Sequence, residues 1–145
     1  MKQSADDRSL EVRTVVQEHT AATPGIERTV LLSTGGLVLC ADAATDRAKA
    51  DAERLAALSS SLMSLTKAAA HAYGGGWVGA TVITMRRHHL CMAPVDDRTA
   101  LVVLAGSDTD TGQVMYAAAV MAQEISALLD HETREHLGRF FLQPG

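Results

Sequence analysis

The longest periodic stretch of the chain lies in its middle and predicts one long amphipathic helix. Apolar side chains there step by three and four residues: Leu55, Leu58, Leu62, Leu65, Ala69 and Ala72. This spacing aligns them in one row along a helix, which we expect to span about Thr45 to Tyr73. A second row of mostly small side chains runs beside the first: Ala56, Ser60, Met63, Lys67 and Ala70. A helix lying on one sheet needs only one such row for packing.

Short apolar runs on either side of this helix predict β-strands. Two runs precede the helix: Ile26 to Ser33 and Leu37 to Ala41. Three runs follow it: Trp77 to Met85, His89 to Val95 and Thr99 to Ala105. The intervening segments Arg86-Arg87-His88 and Asp96-Asp97-Arg98 are short enough for antiparallel hairpins. The glycines of Thr34-Gly35-Gly36 supply the positive φ angles that the tip of a tight hairpin needs.

Two further helices are expected at the ends of the strand regions. The segment SLEVRTVVQEHTAA places Val12, Val15, Val16 and His19 on one helical face, and Thr23-Pro24-Gly25 ends it. A later helix carries Val114, Ala118, Met121, Ile125 and Leu128, with Ser107 as the expected cap. We expect a flexible N-terminus over 1–9, one domain over 10–130, and a C-terminal extension over 131–145 that starts helical and frays into a tail.

The predicted order of elements is α-β-β-α-β-β-β-α. Strands joined by hairpins on each side of a central helix imply an α+β fold, with a five-stranded antiparallel sheet covered by helices on both faces. Such a core fits a chain of 145 residues, of which 47% are hydrophobic and only 3% aromatic. It must therefore be built from Ala, Val, Leu, Ile and Met.

Charge and cysteine content exclude several classes of function. The net charge is −4, whereas nucleic acids and anionic membranes select clustered lysine and arginine. No uncharged apolar run approaches the roughly 20 residues needed to cross a bilayer. The two cysteines are too few for a disulfide framework, and the N-terminus lacks an apolar leader. We therefore expect a cytoplasmic protein that binds no nucleic acid and inserts into no membrane.

None of the reactive side chains forms a recognisable catalytic, cofactor or metal site. Gly36 leads into a strand without a nearby lysine, so Gly35 and Gly36 indicate a turn, not a phosphate loop. His89 and Cys91 share a strand face, but structural zinc needs four ligands and no second pair is present. The run Ser59-Ser60-Ser61 is predicted to be helical, without the strained turn and base of a serine nucleophile. No enzymatic activity is expected.

Two exposed segments are candidates for binding. Arg86 and Arg87 form a basic hairpin tip that suits an acidic or phosphorylated partner, although charged turns are also common without function. The glycines of Gly74-Gly75-Gly76 end the long helix, with Gly74 as its cap, and also suit a ligand loop. We expect Trp77, just beyond them, to close the edge of the sheet, with an exposed contact as the alternative.

These residues resemble the Roadblock/dynein light chain domain family. The likeness rests on TPGIERTVLLSTGGLVLCAD, AERLAALSSSLMSLTKAAAHAYGGG and TVITMRRHHLCMAPVDDRTALVVLAG, and extends from about Val12 to Ile125. It is closest to bacterial members from conservon-type operons. One departure is Thr34-Gly35-Gly36, where the family usually has an Asp-Gly hairpin tip. The resemblance implies the profilin-like layout derived above.

The resemblance also implies a function. Family members form dimers by pairing the central helix and continuing the sheet across two subunits, and act as non-catalytic regulators or scaffolds of Ras-like small GTPases. A histidine-kinase-like sensor is a further partner in conservon operons. For this chain, the second row of the central helix is the expected homodimer interface: Ala56, Ser60, Met63, Lys67 and Ala70. Arg86 and Arg87 are the candidate contact with the GTPase.

A second hypothesis belongs to a different class. A small-molecule sensor domain would hold its ligand between the long helix and the sheet, near Gly74-Gly75-Gly76. Binding of a GTPase favours the regulator, whereas thermal stabilisation by a metabolite favours the sensor.

Overall fold

The computed structural model describes residues 3–144, which form four helices and one five-stranded sheet. The helices are α1 (Ala5–Ala22), α2 (Asp46–Ala72), α3 (Thr111–Ser126) and α4 (His131–Leu142). The strands are β1 (Ile26–Ser33), β2 (Val38–Ala41), β3 (Thr81–Thr84), β4 (His88–Asp96) and β5 (Thr99–Gly106). The predicted sequence of elements and the α+β class are confirmed, and the C-terminal extension, predicted to start helical, forms the complete helix α4.

The sheet is antiparallel throughout, with the strand order β2-β1-β5-β4-β3. Hairpins join β1 to β2, β3 to β4 and β4 to β5, while β1 pairs with β5 at the centre. The β1–β2 connection is a turn as predicted: Gly36 has φ +90°, and its N–H donates to Ser33 O at 2.9 Å. This order leaves β2 and β3 at the two edges of the sheet.

Alternating side chains divide the core into two layers. Val30, Leu32 and Val102 point towards α2. Leu31 and Leu101 point to the opposite face, where α1 and α3 cover them. All five side chains are fully buried. Because both faces of the central strands are covered, their sequences are nearly continuous apolar runs, as is typical of strands buried on both sides.

The N-terminal helix starts earlier than predicted. Helix α1 begins at Ala5, and the Ser4 side chain accepts a hydrogen bond from Asp7 N at 3.2 Å as its N-cap. The predicted flexible segment 1–9 is therefore wrong for residues 5–9, and Ser9 is fully buried. The first two residues of that segment lie outside the described residues. The cap of α3 also differs from the prediction, since Asp110 accepts from Gly112 N in place of Ser107.

The predicted fraying of the C-terminal segment is wrong over residues 131–142. Helix α4 begins at the cap Asp130 and packs against α1 and β2. Leu137 and Phe141 are 1% and 9% exposed, and they join the two layers of the core. Charged residues separate the few buried positions of α4, which hid its apolar face in the sequence. The division into 1–9, 10–130 and 131–145 as domain units stays a prediction.

Ion pairs fasten the first half of α4 to the rest of the molecule. Arg8 in α1 approaches Asp130 at 2.8 Å, and Arg134 approaches Asp96 in β4 at 3.2 Å. Hydrogen bonds from Thr133 to Asp130, as a helix cap, hold the pKa of that carboxyl below its usual range. The negative charge of Asp130 thus persists to more acidic pH than that of a free aspartate.

We predict that Leu137→Ala lowers the free energy of unfolding by about 2–4 kcal/mol, because it leaves a cavity in a closed core. Leu142→Ala, in the same helix but 76% exposed, is the matched control and changes it by less than about 0.5 kcal/mol. Urea unfolding followed by circular dichroism measures both values. Equal, small effects would show that α4 does not pack as described.

Candidate protein–protein interface

The long helix α2 turns its small side chains towards the sheet. Ala52, Ala56 and Ser59 are fully buried, while Leu55 and Leu62 pack at the margin of the same layer. At the β1–β2 turn the helix comes especially close. There a Cβ added to Gly36 would lie 3.4 Å from the Ser60 Cβ. Small residues at these positions let the helix axis approach the strands.

The predicted dimer row is therefore wrong at Ala56, and the rest of the row stays a prediction. Ala56 has no exposed surface, Ser60 Oγ donates to Thr34 O at 2.9 Å, and Met63 is partly buried against the α2 layer of the core. Lys67 is exposed and Ala70 half-buried. Close packing of the helix on the sheet selects small side chains at its centre, so Leu58 and Leu65 of the other row face outwards while Leu55 and Leu62 stay at the margin of the core.

The solvent side of α2 carries an apolar surface. Leu58 and Leu65 are 59% and 67% exposed, and they lie seven residues apart, two turns along one face. Small exposed residues surround them: Ala57, Ser61, Ser64, Ala68, Ala69 and Ala72. We call these eight residues the outer face of α2. Apolar side chains in this number on one helix face are typical of an interaction surface.

The two edges of the sheet differ in their covering. Helix α4 lies along β2, where a Cβ added to Gly138 would come within 3.9 Å of Leu39 Cδ2. Strand β3 pairs with β4 on one side, and no other described strand pairs with its second side. Val82 in β3 is 37% exposed. A free edge of this kind presents backbone donors and acceptors to a further strand.

The segment between α2 and β3 projects aromatic side chains into solvent. Tyr73 is 90% and Trp77 94% exposed, so the prediction that Trp77 closes the sheet edge is wrong. Gly74 follows the C-cap Tyr73 with φ +60°, as predicted for a helix-ending glycine, and Gly76 has φ +78°. These turns carry the chain away from the sheet before β3 starts at Thr81.

Arg86 and Arg87 occupy the tip of the β3–β4 hairpin and are exposed. Met85 N donates to His88 O at 2.8 Å, which makes the tip a two-residue turn. Ser107 N donates to Arg87 O at 3.1 Å and ties the tip to the β5–α3 loop. Neither arginine forms an ion pair with another described residue.

The other candidate reactive groups are engaged or buried. Nε2 of His89 lies 3.1 Å from Ser107 O, and burial raises the pKa of the Cys91 thiol. Desolvation by burial raises the pKa of Cys40 to about 12, so this thiol stays protonated near neutral pH. Within residues 3–144, no group of three or more His, Cys, Asp or Glu side chains is arranged to hold a metal ion.

Two spaces bear on the sensor hypothesis. A cavity of about 50 Å³ lies between α2 and the sheet, with Met63, Thr66 and Met92 in its lining. Pockets for small molecules usually measure about 300–1,000 Å³. A cleft of about 1050 Å³ beside Gly74 and Trp77 is open to solvent. The described residues thus offer an open cleft near the glycines and very little enclosed volume under the helix.

Comparison with known proteins identifies the family. The sequence profile of the Roadblock/LC7 domain matches residues 14–105, and the chain belongs to this family. A Roadblock/LC7 domain from Streptomyces avermitilis is 28% identical, with a TM-score of 0.72 over 79% of this chain and 94% of that one. The search of curated proteins returned no similar sequence.

Two MglB proteins share the fold. Myxococcus xanthus MglB is 19% identical, with a TM-score of 0.72 over 81% of this chain and 94% of that one. The gliding protein MglB of Thermus thermophilus is 18% identical, with a TM-score of 0.70 over 88% and 93% of the two chains. Among the helices described for the present chain, none is long and apolar enough to cross a membrane.

The orientation of α2 is tested by a pair of neighbouring alanines. We predict that Ala56→Leu destabilises the fold by about 1–3 kcal/mol, because the added atoms overpack a closed layer. Ala57→Leu, one position further along and exposed, changes the stability by less than about 0.5 kcal/mol. Chemical unfolding at submicromolar protein concentration, where association contributes little, measures both. If Ala57→Leu destabilised the fold more than Ala56→Leu, the row that contains Ala56 would face solvent.

Proposed function

We propose that this chain is a non-catalytic homodimeric regulator or scaffold of a Ras-like small GTPase in a bacterial signalling operon. The observation that carries the proposal is the combination of an apolar outer face on α2 with an unpaired edge at β3. Both surfaces suit contact with another protein, and neither presents a set of catalytic side chains. Membership of the Roadblock/LC7 family directs the proposal towards a GTPase.

The outer face of α2 supports an antiparallel pair of helices. A two-fold axis near Ser61 places Leu58 of one copy against Leu65 of the other, and the reverse contact follows by symmetry. Small residues on either side allow close approach and ridges-into-grooves packing. Burying a leucine contributes about 1.5–3 kcal/mol, and such a pair buries four, two from each copy. This assignment is preferred to the predicted row, whose first member, Ala56, is fully buried.

The sheet edges support a closed dimer as opposed to an open chain of subunits. Because α4 covers β2, a second copy has access only to β3. Contact through one edge is isologous, uses the same surface on both copies, and ends with the second subunit. When the two strands pair, the unpaired backbone N–H and C=O groups along β3 gain hydrogen-bond partners, as in other cases of strand addition.

The GTPase contact rests on weaker support from the residues. Arg86 and Arg87 form a basic tip on a chain with a net charge of −4, and GTPases present phosphates and acidic switch segments. Arginine supplied in trans raises GTP hydrolysis by about 10³-fold or more. A second route is to order the GTPase's own switch loops, which raises hydrolysis without a side chain donated by the regulator. We favour the second route, since the family acts without an inserted catalytic side chain.

A histidine-kinase-like sensor is proposed as a further partner.

The sensor domain remains the alternative function. The open cleft beside Gly74 and Trp77 is the observation in its favour. A metabolite that raises the melting temperature of this chain, combined with no binding to a GTPase, would promote the sensor over the regulator.

We predict that Leu58→Glu/Leu65→Glu converts the dimer to a monomer, because two carboxylates per copy enter an apolar contact. Leu37→Glu/Leu142→Glu places the same groups at positions that are 72% and 76% exposed elsewhere, and leaves the dimer intact. Light scattering at high micromolar concentration gives the mass of each variant. A monomeric wild-type protein would end the dimer proposal.

For the GTPase, we predict that Arg86→Ala/Arg87→Ala weakens binding by about tenfold or more while bound complexes keep their GTP turnover. Binding assays and single-turnover hydrolysis with the Ras-like GTPase of the same operon separate the two effects. Undiminished binding with turnover reduced by orders of magnitude would identify an arginine finger. A wild-type protein that binds no GTPase would contradict the proposed function.

A further inference from the structure

A groove at the β2 edge of the sheet has no part in the function proposed above. It lies between α4 and β2 with its preceding turn, and Glu53 of α2 also lines it. Its volume is about 610 Å³, whereas pockets for small molecules usually measure about 300–1,000 Å³. The α4 residues along it are spaced by four, three and four positions: His131, Glu135, Gly138 and Leu142. This row is about 16 Å long at the rise of an α-helix, which suits an extended chain.

Most of the lining of the groove is apolar. Val38, Leu39 and Phe141 line it and are themselves buried in the core. Leu37 and Leu142 line it as well, yet they are 72% and 76% exposed. An aliphatic chain in the groove would remove this leucine surface from water, which is favourable in proportion to the area covered. The groove therefore suits a ligand with an apolar body.

A glycine in the middle of α4 keeps the groove open. Gly138 borders it, although glycine in a helix interior is less favourable than alanine. The nearest atom to a Cβ added at Gly138 is Leu39 Cδ2 at 3.9 Å, which is an ordinary contact. Packing of α4 against β2 therefore does not require a glycine. Its missing side chain leaves space for an occupant at a cost in helix stability.

The charged groups around the groove differ in their engagement. Arg134 approaches Asp96 at 3.2 Å, and His131 approaches Glu135 at 3.1 Å. Arg139 also lines the groove, is exposed, and forms no ion pair with another described residue. A guanidinium can donate two parallel hydrogen bonds to one carboxylate. Arg139 is thus the cation of the lining that is free to bind an anionic group.

We propose that this groove binds a free aliphatic carboxylate, of the class of a medium-chain fatty acid. The chain lies against Gly138 and between Leu37 and Leu142, and the carboxylate binds Arg139. Glu53, on the α2 side, forms no ion pair with another described residue and repels the carboxylate towards α4. The groove lies apart from β3 and from the outer face of α2, so the site does not depend on the proposed homodimer.

Calorimetric titration with decanoate, below the concentration at which it forms micelles, tests the ligand class. We expect one decanoate per chain, and about fivefold weaker binding of 1-decanol, which has the same chain without the charge. Arg139→Gln raises the dissociation constant of decanoate about fivefold and leaves that of 1-decanol within about twofold. Arg86→Gln, which removes the same charge at the β3–β4 hairpin, is the matched control and changes neither value.

The acidic side of the groove gives an effect of opposite sign. Glu53→Gln removes the repulsion and lowers the dissociation constant of decanoate about twofold, without changing that of 1-decanol. Binding driven by exposed apolar surface alone would respond to neither Arg139→Gln nor Glu53→Gln. Equal affinities for decanoate and 1-decanol in the wild type would likewise overturn the carboxylate site.

Gly138 separates the needs of the fold from those of the ligand. We expect Gly138→Ala to raise the melting temperature by about 3 °C, because alanine favours the helix. The same variant raises the dissociation constants of decanoate and 1-decanol about threefold, and Gly138→Leu raises them about tenfold, because the added atoms occupy the groove. A lower melting temperature for Gly138→Ala would show that the fold itself requires the glycine, and would overturn this part of the account.

Methyl resonances locate the bound chain. Decanoate should shift the methyl signals of Leu37, Val38 and Leu39 and leave those of Val82 unchanged. Shifts confined to other residues, or no saturable binding of decanoate, would refute the site. Sedimentation with phosphatidylglycerol vesicles, combined with no binding of free decanoate, would assign the groove to a membrane lipid and overturn the proposal of a free ligand.

Discussion

The backbone of an edge strand must find hydrogen-bond partners, and the two edges of this sheet meet that requirement differently. At β2 the chain supplies its own cover, because α4 packs along the strand and anchors Leu137 in the core. At β3 no described element provides a cover. Exposed edges invite uncontrolled association. One covered and one open edge direct association to a single surface, and the proposed two-fold pairing then closes it.

The packing of α2 likewise decides which side chains are covered and which are left exposed. Ala52, Ala56 and Ser59 bring the helix close to the strands, so Leu58 and Leu65 have to lie outside. The leucines thereby acquire a role in association that they could not have in the monomer core. Leu55 and Leu62 still pack at the margin of the core, so the helix carries leucines on two sides. Leu58 and Leu65, on the outer side, are the pair that a second surface would cover.

The sequence predicted the order of elements because strand and helix periodicities differ strongly here. Ile26–Ser33 was predicted to the residue, and α2 to within one residue at each end. The orientation of α2 was missed because both of its rows are compatible with burial, and periodicity alone does not rank them. The helical start of the C-terminal extension was predicted, but the packing of α4 in the core was missed because Leu137 and Phe141 stand among charged residues. Trp77 was misplaced because flanking strand residues do not show where a glycine turn directs the chain.

Hydrogen exchange at the amides of β3 tests the central claim most directly, because it observes whether the open edge is paired. Val82 and Thr84 direct their N–H groups to that edge, while Ile83 bonds to β4 within the monomer. The account predicts that all three amides are protected in concentrated protein, and that dilution into the monomer exposes Val82 and Thr84 alone. Rapid exchange of Val82 and Thr84 at every concentration would contradict it.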